Sequence, residues 1–233
     1  MLLALETSAE RGGVALFDGG ALVGEADVAE SERHAASLLL CLDGLLARVS
    51  RKFGEVERIA LAIGPGSFTG LRIGLATALG LAFGTKRTLV PVPTLAALSL
   101  QAGGADRVAT LVDARRGEVY AGLYDADANP LLPDACVSVS DWLAALPARE
   151  PIALLGSGAE LHRAQLLSAL GARARFLPAA SGVLRARSVG VLGHRLAQAG
   201  ADLPPERVEL RYLRRAEAEA KRLALHPNAE PIP

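Results

Sequence analysis

The stretch GPGSFTGLRIG, residues 64–74, sets four glycines and one Arg between two apolar runs and contains no Lys. Glycine-rich turns that open a helix hold phosphate when their spacing allows it, because backbone amides and the helix N-terminus meet the anion. A Walker-type loop needs GxxxxGK followed by Ser or Thr, with the Lys charge on the outer phosphates. No glycine pair here has that Lys behind it. A dinucleotide GxGxxG fails as well, since after Gly64 and Gly66 the third glycine comes one residue late, at Gly70. Two readings follow. Either an anion sits at the start of the next helix, which makes Ser67 a cofactor-binding candidate, or a tight turn capped by Ser67 or Thr69 lets another backbone come close.

Two carboxylates stand at the ends of short apolar runs, Glu6 in LALETS and Asp113 in VDARRGEVY. Asp113, with Arg115, Arg116 and Glu118 beside it, reads either as a general base or magnesium ligand, or as a turn closed by an ion pair. Glu6 is the second candidate for a phosphate or magnesium role. The histidines point away from metal chemistry. A helical metal site takes two His four residues apart, so that both side chains converge on one ion. Four residues beyond His34 stands Leu38, and His162, His194 and His226 are isolated. Cys41 and Cys136 form no CxxC and read as small core residues of a reduced compartment.

These residues need elements to hold them. The chain has 233 residues, 51% of them hydrophobic, enough for a sizeable core. Lys plus Arg equals Asp plus Glu at 25 each, so no global field draws in nucleic acid. The first ten residues lack a basic region ahead of a signal-peptide core. The longest apolar stretch falls short of the roughly 20 residues a membrane helix needs. The expectation is a soluble, cytoplasmic protein with no membrane partner.

Strands are predicted at 2–5, 13–17 and 21–28, with a DGG hairpin turn at 18–20. A helix follows from about 32 to 49 with Ser31 as N-cap, then a strand at 59–63, the glycine loop, and a helix to about 83. After a strand at 90–92 and a helix at TLAALS, the pattern restarts near 104. RVATLVDARRGEVYAGLYDADANPLL again reads as three strands, with Asp113 in the place of Glu6. Alternating helices and strands follow it. Two copies of a three-strand meander with α/β elements argue for a duplicated α/β protein, cut into lobes at 1–103 and 104–233. RYLRRAEAEAKR near the end alternates in charge like a solvated helix, and HPNAEPIP reads as a loose tail.

The helix after the glycine loop is apolar on every side, which means burial all round. Gly70, Gly74, Ala78 and Ala82 recur every fourth residue and form a stripe open to close packing. In the preceding helix Leu38, Leu39, Leu42, Leu45 and Leu46 make the core stripe, while Leu40 points away between Ala36, Gly44 and Ala47. Ala36, Leu40, Ala47, Gly70, Gly74 and Ala78 are therefore expected to form a face packed by another subunit.

The duplicated meander resembles the actin/Hsp70/sugar-kinase (ASKHA) fold, with a reduced second lobe. More narrowly, LALETS at 3–8, ERHAASLLLCLDGLL at 32–46, GPGSFTGLRIG at 64–74, PTLAALS at 93–99, VDARRGEVY at 112–120 and RYLR at 211–214 resemble, in order and spacing, the bacterial TsaB (YeaZ-like) family. Glu6 departs from that fold's usual Asp, and Arg211 from the residue common before YLR. The resemblance implies a non-catalytic, dimerising subunit in the synthesis of tRNA threonylcarbamoyladenosine. It would support a TsaD-like transferase that moves threonylcarbamoyl from threonylcarbamoyl-AMP to adenosine 37 of tRNA. A TsaE-like ATPase and a second copy of the chain are the further implied partners, with tRNA met only through the complex. The implied chain binds no cofactor alone, and ATP or ADP belongs to the assembled complex. Two other readings need features that are weak or absent here: an ASKHA kinase or ATPase needs intact phosphate loops, and an M22-like metallopeptidase needs clustered ligands.

Overall fold

The computed structural model describes residues 1–9, 11–28, 35–147 and 150–214. Strands β1 (Leu2–Glu6), β2 (Gly12–Asp18) and β3 (Ala21–Val28) form an antiparallel meander. Its second hairpin, between β2 and β3, closes through Gly19 and Gly20, both at positive φ, which glycine adopts without steric cost. Helix α1 (Ala35–Arg48) leads to β4 (Arg58–Gly64), helix α2 (Phe68–Ala82), β5 (Thr88–Pro93) and helix α3 (Thr94–Ser99). β4 pairs parallel with β1, and β5 parallel with β4, giving the order β3-β2-β1-β4-β5.

The second half repeats this plan. β6 (Val108–Asp113), β7 (Glu118–Tyr124) and β8 (Pro130–Ser138) form the meander, then come helix α4 (Val139–Ala145) and β9 (Ile152–Leu155). Helices α5 (Ser157–Leu161) and α6 (Arg163–Leu170) lead to the short β10 (Ala174–Phe176), which lay outside the predicted strands. The order β8-β7-β6-β9-β10, with the same parallel and antiparallel pairings, matches the first sheet element for element. The duplicated α/β architecture is present, and the second copy is reduced in its last two strands.

Alternation along the strands assigns the helices to faces. Leu3, Leu5, Val14, Leu16, Ile59 and Leu61 join Leu38, Leu42 and Leu45 of α1 and Ala78 of α2 in one core. Leu2, Ala4, Ala15, Phe17 and Ala60 point the other way, into a core shared with α3 and with helix α7 (Ala186–Gln198). That second core corrects the expected boundary at 103/104. α7 follows the second sheet in sequence but covers the first. Its Gly190 rests on the Phe17 ring and its Gly193 on Ala60, each so close that a methyl group would overlap. Leu203 then pairs with Leu89 of β5 through two backbone hydrogen bonds. The first lobe is 1–103 together with the returning residues 186–208.

Among the described residues, no helix is long and apolar enough to cross a membrane. His34, Ser31 and the charged tail beyond 214 lie outside the described residues.

Candidate functional site

Every glycine of the 64–74 motif meets the chain's own atoms. Ser67 caps α2, its Oγ accepting from the Gly70 amide at 3.2 Å. A methyl group on Gly70 would overlap the Thr7 carbonyl oxygen, and one on Gly74 would overlap the Thr7 hydroxyl. On Gly66 it would stand 2.7 Å from the Ser8 carbonyl oxygen, and on Gly64 it would strike the Arg211 carbonyl oxygen. The Ser67 amide also donates to the Ser8 carbonyl at 2.8 Å. The stripe is thus a close-packing device turned inward, onto the β1–β2 turn. This corrects the expectation that Gly70, Gly74 and Ala78 face another subunit: Ala78 and Gly74 are buried within the chain. A stripe of small residues marks where a backbone approaches, and the nearest backbone here belongs to the same lobe.

The outer faces of the two helices are different. On α1, Ala36, Leu40, Asp43, Gly44 and Ala47 are exposed, with Leu40 at 72%. Leu39, expected in the core stripe, is 40% exposed beside them. On α2, Arg72, Ala76, Leu79 and Gly80 face outward, and Phe83 at its C-terminal end is 88% exposed. α1 and α2 pack on the same side of the sheet and touch each other, so these residues belong to one side of the molecule. Between the start of α2 and the β1–β2 turn lies a small apolar cavity of about 150 Å³, lined by Thr7, Val28, Leu38, Thr69 and Ile73.

The second feature is a cleft of about 430 Å³ between the lobes. One wall carries Ser8, Gly66 and Ser67, and the other Asp113, Arg115 and Ser157. The fold therefore brings Ser67 and Asp113 to opposite walls, with Glu6 just behind Ser8. Glu6 is fully buried. Its Oε1 accepts from the Ser8 amide and the Ser8 hydroxyl, both at 2.7 Å, and from the Ala9 amide at 2.9 Å. Its Oε2 has no partner among the described residues. Burial raises the Glu6 pKa from 4.5 to about 7, against the lowering effect of those hydrogen bonds. Across the cleft, Asp113 accepts from the Arg115 amide at 2.7 Å and pairs with the Arg115 guanidinium at 3.3 Å. Arg115, Arg116 and Gly117 all take positive φ in that turn.

The chemistry this allows is limited. The amides of Ser8 and Ala9, which would have to meet a phosphate, are taken by Glu6, and the Arg115 amide by Asp113. The GSG turn after β9 is covered too: a methyl on Gly182 would stand 2.9 Å from the Gly156 nitrogen. Among the described residues no three His, Cys, Asp or Glu side chains cluster as a metal set. Cys41 and Cys136 are free thiols, half-buried rather than in the core.

Sequence reasoning missed one group. Arg211 pairs with the buried Asp134 at 2.8 Å, Tyr124 donates to the same carboxylate, and Arg214 pairs with Glu118. The RYLR motif was visible as a motif, but Asp134 sits alone in PLLPDACV with nothing to mark it.

Two lobes of like topology flanking a cleft make the actin/Hsp70/sugar-kinase fold. A hexokinase of Thermus thermophilus shares that fold at a TM-score of 0.50 and 14% identity, over 85% of this chain and 99% of that one. Residues 28–221 match the family model for TsaD, tRNA N6-adenosine threonylcarbamoyltransferase. The Bacillus subtilis tRNA threonylcarbamoyladenosine biosynthesis protein TsaB is 32% identical over 94% of this chain and 96% of its own length. YeaZ of Pseudomonas aeruginosa superposes at a TM-score of 0.77 with 30% identity, over 91% of this chain and 99% of that one. The chain belongs to the TsaB (YeaZ-like) family.

Proposed function

We propose that this chain is a non-catalytic, activating subunit in the synthesis of tRNA N6-threonylcarbamoyladenosine. It supports a TsaD-like transferase that carries threonylcarbamoyl from threonylcarbamoyl-AMP to adenosine 37, with a TsaE-like ATPase as a further partner. The observation that carries this reading is the outer face of α1 and α2. Leu40 and Phe83 stand far into solvent on adjoining helices, ringed by small residues that let a partner helix approach. The match to the TsaD family model and the relative named TsaB supply the pathway. The consumed turn amides support an accessory rather than a catalytic role, and leave any ATP or ADP to the assembled complex. A second copy of the chain competes for the same face.

Leu40→Glu tests it. The side chain lies outside the core, so the monomer keeps its fold and thermal midpoint. In the assembly the carboxylate would be buried without a counterion, which weakens a micromolar association by about tenfold or more. Co-purification with a TsaD-like protein, followed by a tRNA modification assay, reads both effects. A folded Leu40→Glu protein that assembles and modifies tRNA at the wild-type level would move the interface elsewhere.

A further inference from the structure

The segment after α7 does more than finish the first lobe. Val208 is buried in the core beneath α1 and α2. Three residues on, the Arg211 amide donates to the Ile63 carbonyl at 2.8 Å, and its own carbonyl lies against Gly64. The main chain at Arg211 is thus seated on the end of β4. The ring of Tyr212 stacks on Phe68 at 5.2 Å, its hydroxyl 3.3 Å from Arg72 Nε, while the Arg72 guanidinium covers the other ring at 4.0 Å. Up to this point every contact is with the first lobe.

The charged side chains go the other way. The Arg211 guanidinium reaches Asp134 on β8, a carboxylate whose side chain is 3% exposed and which Tyr124 of β7 also holds. Burial raises the Asp134 pKa, and the Arg211 guanidinium paired with it works against that shift. Arg214 donates to the carbonyls of Ala114 and Arg115 and pairs with Glu118, which ties it to the β6–β7 turn. Ala114 and Arg115 line the cleft on the second lobe, and Pro65, next to Gly64, lines it on the first.

The lobes already share a core, in which Val108, Tyr124 and Leu155 of the second pack with Leu95 and Leu98 of α3 and Leu192 of α7. Gln101 bridges them at one rim of the cleft. Gln101 donates to the carbonyls of Ser181 and Val183 at 2.6 and 2.9 Å, and accepts from the Arg185 amide and the Ser188 hydroxyl, both at 3.0 Å. Lobes packed along one side of a cleft and open at its far rim can hinge about that packing. Here a second tie crosses the opposite rim.

We propose that residues 208–214 are a clasp that pins the two lobes at one separation, with Arg211 as the pin between β4 and Asp134. Its main chain belongs to one lobe and its guanidinium to the other, so neither lobe can swing without breaking one of the two. The cleft then does not open and close, and this chain presents its partner face from a rigid body.

Spin labels at Glu57→Cys and Ser168→Cys, one on each lobe, with Cys41 and Cys136 replaced by Ala, read the separation by double electron–electron resonance. The otherwise wild-type chain should give one narrow distance peak. Arg211→Met keeps the aliphatic stem and removes the ion pair, and should lose that single narrow peak to a broad distribution. Because Arg211→Met leaves Asp134 buried without its cation, the pair Arg211→Met with Asp134→Asn serves as the second variant. Folded variants that keep the wild-type peak overturn the proposal. Where neither variant folds, hydrogen exchange on the unaltered chain decides. An Arg211 amide as protected as those of β4 supports the clasp, and one that exchanges like a free amide overturns it.

Discussion

The inner and outer faces of α2 are built from the same kinds of residue and do opposite things. Gly70 and Gly74 look inward, where the Thr7 carbonyl and hydroxyl leave no room for a β-carbon. Gly80 looks outward, and a methyl group there would meet nothing within 4 Å. The same contrast holds for large side chains: Leu71 is fully buried against the chain's own core, whereas Phe83 is almost wholly in solvent. A glycine in a helix says only that something comes close or that nothing does, and the sequence pattern alone cannot distinguish these. The inward face is part of the fold, and the outward one is the exposed surface proposed above to take a partner.

The comparison breaks most sharply at Gly70. Gly70→Ala sets a β-carbon against a backbone carbonyl that cannot rotate away, so we expect a loss on the order of 3 kcal/mol, at the upper end for overpacking. For a chain of this size that lowers the thermal midpoint by roughly 6–12 °C. Gly74→Ala meets the Thr7 hydroxyl instead, which can turn aside, and Ala gains about 1 kcal/mol in helix propensity. The two variants should separate clearly in one calorimetric series, and equal midpoints would contradict the inward packing drawn here.

Glu6 holds the turn that receives that inner face, and its effect depends on pH. Its folded pKa of about 7 lies above the ordinary 4.5, so the folded chain keeps a proton that the unfolded chain releases. The contribution is complete below pH 4.5 and is lost as pH rises through about 7. Between pH 5 and 8 wild-type stability should therefore fall, relative to Glu6→Gln, by on the order of 2–3 kcal/mol. Urea midpoints for both proteins at the two pH values check this. Parallel pH profiles would place Glu6 in a more polar setting than its burial indicates.

The smallest expected effect lies on the outer face. Gly80→Ala should stabilise the isolated chain by about 0.5–1 kcal/mol, since it removes backbone freedom from the unfolded state and meets no neighbour. Equilibrium denaturation measures that directly. Because Gly80 stands beside Leu79 on the candidate partner face, the same substitution should weaken assembly if the partner packs as closely there as Thr7 does on the other side.

Much of this was legible in the sequence. Binary alternation and turn residues marked both meanders, and the placement of Asp113 opposite Glu6 in the repeat holds in the structure, where β1 ends on Glu6 and β6 on Asp113. The missing Lys and the late third glycine argued against a phosphate loop, and Leu40 was placed outside the core stripe, where it stands. These are local properties: a helical or strand period, a cap at Ser67, a spacing that either fits an anion or does not.

The tertiary structure decided what each periodic surface faces. A four-residue stripe of glycine and alanine requires a close neighbour, yet nothing in its period says whether that neighbour is Thr7 of the same chain or a helix of another. The partner of Arg211 lies 77 residues earlier in sequence, and its main-chain acceptor, Ile63, lies further back still. The return of α7 to the first sheet depends on Gly190 and Gly193 fitting Phe17 and Ala60, which no window around residue 190 contains. Periodicity is written in neighbouring residues, so the sequence by itself determined the elements and their apolar sides. Pairing between sides is settled by which distant surfaces match in shape and charge once the chain has collapsed, and only the folded arrangement holds that information.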